Sequence, residues 1–221
     1  MVTKHVTTGR NKFYGYGWIL GTSTIASCDF ISHGGQQNGY RSELWYFPKH
    51  ELMIVMVSNL RYQQWTSDPK RPSFLDLKNN IVRMVIGLHA DMVEIPMADQ
   101  LATWIRELGV DSALARYRSM KSHPLPGYYF SEIETNDLGY YHYLTYKDFD
   151  IAHAIFEQNI ADYPMSFNVY DSMAWLFDQT GDIIKAGVWY RKAVEVFTKY
   201  PDENTRWKKG MEKAKLWLSN H

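Results

Sequence analysis

The chain has 221 residues, 45% apolar and 22% charged, which is the balance of a folded globular protein and excludes a disordered one. Lys and Arg number 24, as do Asp and Glu, so there is no electrostatic case for nucleic acid or an anionic membrane as partner. The single cysteine, Cys28, excludes an intramolecular disulfide.

No apolar run approaches the ~20 residues of a membrane span. The opening "MVTKHVTTGRNKF" lacks the apolar stretch of a signal peptide. Residues 13–60 read as strands. "FYGYGWIL" alternates aromatic and small residues, as one strand would. "YRSELWYF" (40–47) alternates too, with Arg41 and Glu43 on one face and Leu44 and Tyr46 on the other. "LMIVMVSN" (52–59) is almost wholly apolar, the pattern of a strand buried on both faces. With "PKHE" (48–51) as the turn, 40–59 is a β-hairpin. In 73–88, Leu77, Ile81, Met84, Val85 and Leu88 recur at helical spacing and predict an amphipathic helix lying on the sheet by that stripe.

From about residue 93 the chain turns helical. "MADQLATWIRELG" and "VDSALARYRSMKSH" form a helix pair broken at Gly109, and Pro124 and Pro126 follow as a linker. Ala152 and Ala186 then lie 34 residues apart, as do Phe156 and Tyr190. A 34-residue period with Ala and an aromatic four residues on is the tetratricopeptide pattern. The small residue lets paired helices approach, and the aromatic fills the gap to the next unit. Pro164 and Pro201 close the two units, and Ala113 with Tyr117 supplies a degenerate third. Residues 202–220 read as a capping helix, with "RWKKGMEKAK" as a solvated face. Tyr and Trp at helical spacing in 138–190 read as core between repeats.

"SHGGQQNGY" (32–40) is the stretch that carries chemistry. Gly34 and Gly35 lead into another strand, so this is not a phosphate loop, which needs a following helix N-terminus. His5, His33, His50 and Asp29 lack metal-ligand spacing, and no metal or cofactor is expected. Cys28 reads as a buried small residue rather than a nucleophile. Tyr14-Gly-Tyr-Gly-Trp18, His33-Gly34-Gly35, Gly39-Tyr40-Arg41-Ser42, the Pro48 turn and the apolar strand ending Ser58-Asn59 follow in order. Together they resemble the C-terminal third of the serine β-lactamase and penicillin-binding-protein superfamily. The likeness is to the class C-type branch with its esterases and D-amino-acid-active peptidases, and it covers residues 10–90. Residues 93–201 resemble a helical tail found after several bacterial hydrolase domains.

The resemblance implies roles. His33 takes the Lys or His position of the family's Lys-Thr-Gly strand and faces a substrate carboxylate. Gly35 lets substrate backbone lie along the strand. Gln36 offers its backbone N–H as an oxyanion donor, an interaction worth about 2.7–4 kcal/mol in such barriers. Gly34 and Tyr40 are expected to contact a small-molecule or peptide substrate. The family's nucleophile lies in Ser-x-x-Lys. Here only Ser67-Asp68-Pro69-Lys70 fits that spacing, and it follows the motif strand instead of preceding it. The expectation is therefore an α+β fold. Residues 1–92 form the C-terminal portion of a β-lactamase-like domain, an antiparallel meander with one packed helix. Residues 93–221 form an all-α tetratricopeptide-like domain. The chain is a C-terminal fragment of a serine hydrolase, inactive by itself, and the parent's location is left open between periplasmic and secreted. The rival is a non-catalytic module whose repeats bind a protein or peptide. The edge of strand 52–59 is expected to be open, giving self-association, or to be covered by residues 1–12.

Overall fold

The computed structural model describes residues 3–9, 12–37, 40–58, 71–201 and 205–221. Two compact units emerge, one within Met1–Gln64 and Pro72–Val93, the other within Trp65–Arg71 and Glu94–His221. The fold is α+β: a six-stranded antiparallel sheet followed by eight α-helices among the described residues.

In the first unit the strands are β1 (Val6–Gly9), β2 (Lys12–Gly15), β3 (Trp18–Ser23), β4 (Cys28–Gln37), β5 (Tyr40–Phe47) and β6 (Leu52–Ser58), paired in chain order. "FYGYGWIL" is not one strand. It folds back at Tyr16 and Gly17, whose φ values of 49° and 86° suit the two-residue turn between Gly15 and Trp18. Helix α1 (Phe74–Val85) starts at a reciprocal cap, with Ser73 Oγ accepting from the Asp76 N–H and Asp76 Oδ2 accepting from the Ser73 N–H. Val82 joins Phe30, Phe47, Ile54 and Met56 in the core between α1 and the sheet.

Four expectations are corrected here. Of the α1 stripe read as its buried face only Ile81 packs on the core: Leu77, Met84, Val85 and Leu88 are exposed, while Val82 and Lys78 are buried. Burial lowers the Lys78 pKa to about 8, and its ammonium lies 4.2 Å from the centre of the Trp45 ring. β6 is buried on one face only, with Met53, Val55 and Val57 exposed. Residues 6–9 do not cover β6, because β1 forms the opposite edge of the sheet. Cys28 is only half-buried, packed at the margin of the core.

The second unit contains α2 (Met97–Leu108), α3 (Val110–Ser122), α4 (Glu132–Tyr141), α5 (Phe149–Asp162), α6 (Phe167–Gln179), α7 (Ile183–Lys199) and α8 (Thr205–Asn220). A two-strand parallel contact, β7 (Ile95–Pro96) with β8 (Tyr128–Tyr129), ties its start to the loop after α3. Gly109, at φ 80°, separates α2 from α3. Arg71 forks onto both Asp99 and Glu134, at 2.7 Å to each. Burial opposes its charge, but the two carboxylates outweigh that and raise its pKa. Ala113, Tyr117, Ala152, Phe156 and Ala186 are fully buried, and Tyr190 nearly so. A polar chain links successive helix pairs: Asn136 Nδ2 donates to Ser172 Oγ at 2.6 Å, and Asn159 Nδ2 to Asn136 Oδ1 at 3.3 Å.

Gly139 of α4 lies against the Phe156 ring, where an added Cβ would come within 2.5 Å of ring carbon. Phe156 is fully buried and has no room to yield. Gly139→Ala is expected to destabilise the chain by about 1–3 kcal/mol in urea unfolding, despite alanine's better helix propensity.

Candidate functional site

Strand alternation sorts the residues of β4 between two faces. Pairing runs His33 to Leu44 to Val55 and Gly35 to Ser42 to Val57. His33, Gly35 and Tyr40 therefore share the face opposite α1. Gly34 and the Gln36 side chain share the other face with Arg41 and Glu43, as the alternation of "YRSELWYF" predicts. The Glu43 carboxylate lies over Gly34, so an added Cβ there would stand 2.7 Å from Oε2. Arg41 Nη2 holds that carboxylate at 3.1 Å. At Gly35 the nearest atom to an added Cβ would be Ser42 Oγ at 3.4 Å, so its side of the strand is open.

The face bearing His33 is apolar across the sheet. Phe13, Leu20, Ile31, Tyr46 and Met53 form one cross-strand row, each paired with the next. Trp18 stands beside His33 in the next row, their rings 6.0 Å apart, and Leu44 and Val55 continue it. α1 packs on the other face. On the His33 side the segment before β1 lies against the β2 end of the sheet: Lys4 Nζ stands 4.5 Å from the centre of the Phe13 ring, and a Cβ added at Gly15 would meet the Thr3 carbonyl. His33 Nδ1 stands 2.6 Å from the Gly17 carbonyl in the β2–β3 turn. A carbonyl only accepts, so Nδ1 carries the proton, and Nε2 is left to face a ligand as acceptor when neutral or donor when charged.

β4 outlasts its neighbour. Its last pairing with β3 is Ser32 with Ile19, while pairing with β5 continues to Gln37. The hydrogen-bonding direction follows from the described turn. Gly15 and Trp18 close a two-residue turn and so bond to each other. Alternation then directs the backbone groups of Tyr14 outward, as its carbonyl accepting from the His5 N–H shows, and those of Ile19 toward Ser32. Ser32 faces β3, so Gly34 and Gln36, in the same alternation, present their N–H and C=O groups past the end of β3. The Gln36 N–H thus faces an edge of the sheet left unpaired among the described residues, beside His33 on the apolar face.

Residues 2–73 match the family model described as Beta-lactamase, about a third of the chain. No curated protein and no solved structure matches the chain. The family match supports a β-lactamase-like serine hydrolase fold for that segment. Asn38, Gly39, Asn59 and the Ser67–Lys70 stretch lie outside the described residues.

Sequence reasoning missed the bond from His33 to Gly17, although the Tyr-Gly-Tyr-Gly-Trp motif held its signal: a glycine in a turn, beside the tryptophan that flanks the histidine. It also missed why Gly34 is glycine. Gly34→Ala is expected to displace Glu43 from Arg41 and lower stability by about 1 kcal/mol. In a Glu43→Ala background the same change is expected to raise stability by about 0.5 kcal/mol, because alanine restricts the unfolded chain. Urea denaturation of the four proteins reads that reversal of sign.

Proposed function

We propose that residues 1–92 form one wall of an acyl-transfer site of the class C-type β-lactamase and penicillin-binding-protein kind, with esterase or D-amino-acid-active peptidase chemistry. The observation that carries this reading is the edge at Gly34 and Gln36, left unpaired among the described residues, beside an exposed, oriented His33 on the apolar face away from α1. In this reading His33 meets a substrate carboxylate through Nε2. Gly35 permits close approach, and the Gln36 N–H polarises the acyl oxygen. Gly34 contributes through its backbone at the edge, since Glu43 occupies the space above it, and Tyr40 borders the same face as His33. The acyl-forming serine and its lysine are not supplied by these residues, and the chain alone is inactive. The apolar rows on the face away from α1 are where an element bearing that serine would pack.

Residues 93–221 are, in this reading, tetratricopeptide-like. The buried Ala and aromatic positions 34 residues apart support that, with α2 and α3 as a degenerate first unit. A second reading, of a peptide-binding helical module, draws on the groove described below.

Two measurements test the first unit. The 221-residue chain is expected to show no turnover of nitrocefin or a p-nitrophenyl ester, and turnover that follows the protein through purification would refute the missing-nucleophile claim. Titrating acetyl-D-alanyl-D-alanine against a 15N-labelled sample is expected to shift the Gly34 and Gln36 amides more than those of Gly35 and Gln37. Equal shifts at all four would count against strand addition.

The edge of β6 has no strand beyond it among the described residues, and it carries Met53, Val55 and Val57 exposed at 58%, 61% and 74%. Self-association there is proposed. Light scattering is expected to give a mass above the 25.9 kDa of one chain. Val55→Lys is expected to return it to the monomer, as charge on an edge strand opposes pairing.

A further inference from the structure

The helical unit contains a groove of about 620 Å³ walled by α4, α6 and α8. That is within the ~300–1,000 Å³ of ordinary ligand sites. Its α4 wall runs from Ile133 to Leu144, about 16 Å at the helical rise per residue, the length of about five extended residues. The helix loosens at its end into a five-residue π-turn, His142–Tyr146, which brings Leu144 to the groove. Such turns gather at functional positions. "RWKKGMEKAK" is therefore not only a solvated face, because Trp207, Lys209, Gly210 and Lys213 line the groove. Nor are all the aromatics of 138–190 core, because Tyr140 and Tyr141 line it too.

We propose that this groove binds an extended polypeptide segment through one arginine or lysine side chain, held by Asp171 with Asp137 beside it. Asp171 is partly buried in the groove wall and makes no hydrogen bond or ion pair among the described residues. A carboxylate in that position is costly until a donor reaches it. Asp137 stands one 34-residue period earlier on α4, in the same groove. Tyr140 and Trp207 add aromatic surface of the kind that favours a cation. The length of the groove, rather than a closed cavity, selects a chain over a free amine.

Burial pushes the Asp171 carboxyl up to about 7, against the pull of Lys213. The other titratable groups lining the groove are Asp137, Tyr140 and Tyr141 from α4 and Lys209 from α8, and Tyr190 of α7 feels the Asp171 charge, while α5 contributes no side chain to the groove. A cation needs the ionised carboxylate, so affinity rises with pH through about 7. The linkage for folding has the opposite sign: a carboxyl whose pKa is raised by folding costs stability as pH climbs from about 4 past 7.

The inference rests on the peptide-binding reading of the helical unit and not on the hydrolase reading. The probe is a capped pentapeptide with arginine between two pairs of alanines, titrated into the 15N-labelled 221-residue chain. A control peptide carries glutamine at the centre. The arginine peptide is expected to shift Asp137, Asp171 and Lys213, about tenfold more tightly at pH 8 than at pH 6. Asp171→Asn, which keeps the shape, is expected to weaken it at least tenfold at pH 8. Its thermal midpoint should no longer show the fall between pH 5 and 8 that Asp171 causes. Equal binding of the glutamine peptide overturns the cation and leaves a peptide groove standing. Equal binding of free arginine amide overturns the polypeptide occupant. No shift in the groove from any probe removes the inference and the peptide-binding reading together. The two-peptide comparison on the unaltered chain decides the matter even if the variant does not fold.

Discussion

Alternation along β4 is the constraint on which the first unit depends. Side chains leave the strand to opposite faces, so neighbours such as Phe30 and Ile31 enter different environments. One set, with Phe30 and Ser32, meets the core under α1, and the other, with Ile31 and His33, lies on the face away from α1. Backbone groups alternate in the plane of the sheet as well. Because β3 stops pairing at Ser32 while β5 continues to Gln37, every second peptide beyond that point faces an open edge. The candidate site is thus a product of unequal strand lengths, and its polar edge and apolar face are fixed by one geometry.

The helical unit achieves close approach differently at successive periods. In the later pair Ala186 and Ala193 are both fully buried, and aliphatic contact suffices. One period before Ala193 stands Asn159, also fully buried. A buried amide needs partners: Asn159 Nδ2 donates to the Glu132 carbonyl and to Asn136 Oδ1, while its own Oδ1 has no partner among the described residues. Ser172 then accepts from Asn136 and from Tyr140 while donating to the Asn168 carbonyl, using its full bonding capacity. The repeat is less regular in sequence because one of its small positions has been converted into a hydrogen-bonded joint.

What could be read from the sequence follows from how local its cause was. The 40–47 and 52–58 hairpin and the opposite faces of Arg41 and Leu44 depend on period and turn chemistry, both visible in a few residues. The helical spacing of Ala152, Phe156, Ala186 and Tyr190 was legible for the same reason. The face of α1 was legible only in part: Ile81 of the predicted stripe packs on the core, but the helix is turned so that Val82, Ile86 and the Lys78 stem, over the Trp45 ring, face the sheet with it. The fold-back at Tyr16 was hidden by a non-glycine residue at positive φ, which is uncommon outside turns of this kind. The groove could not be read either, since Asp137, Asp171 and Lys213 come from three helices whose arrangement no periodicity specifies.

The apolar rows and the open edge make demands in different directions. The face away from α1 carries Phe13, Trp18, Leu20, Ile31, Leu44 and Tyr46, all half-buried, and Val55, which is exposed, so it is a broad apolar surface. Whatever covers it approaches along the normal to the sheet. A chain adding to Gly34 and Gln36 approaches in the plane of the sheet, from the side that β3 leaves free. Covering the face therefore need not close the edge. It would instead take His33 Nε2 out of bulk water while leaving the Gln36 N–H within reach, and a hydrogen bond to either group strengthens as water is excluded. In the proposed reading, a covering of this face would supply the low-dielectric surroundings for acyl chemistry at the edge.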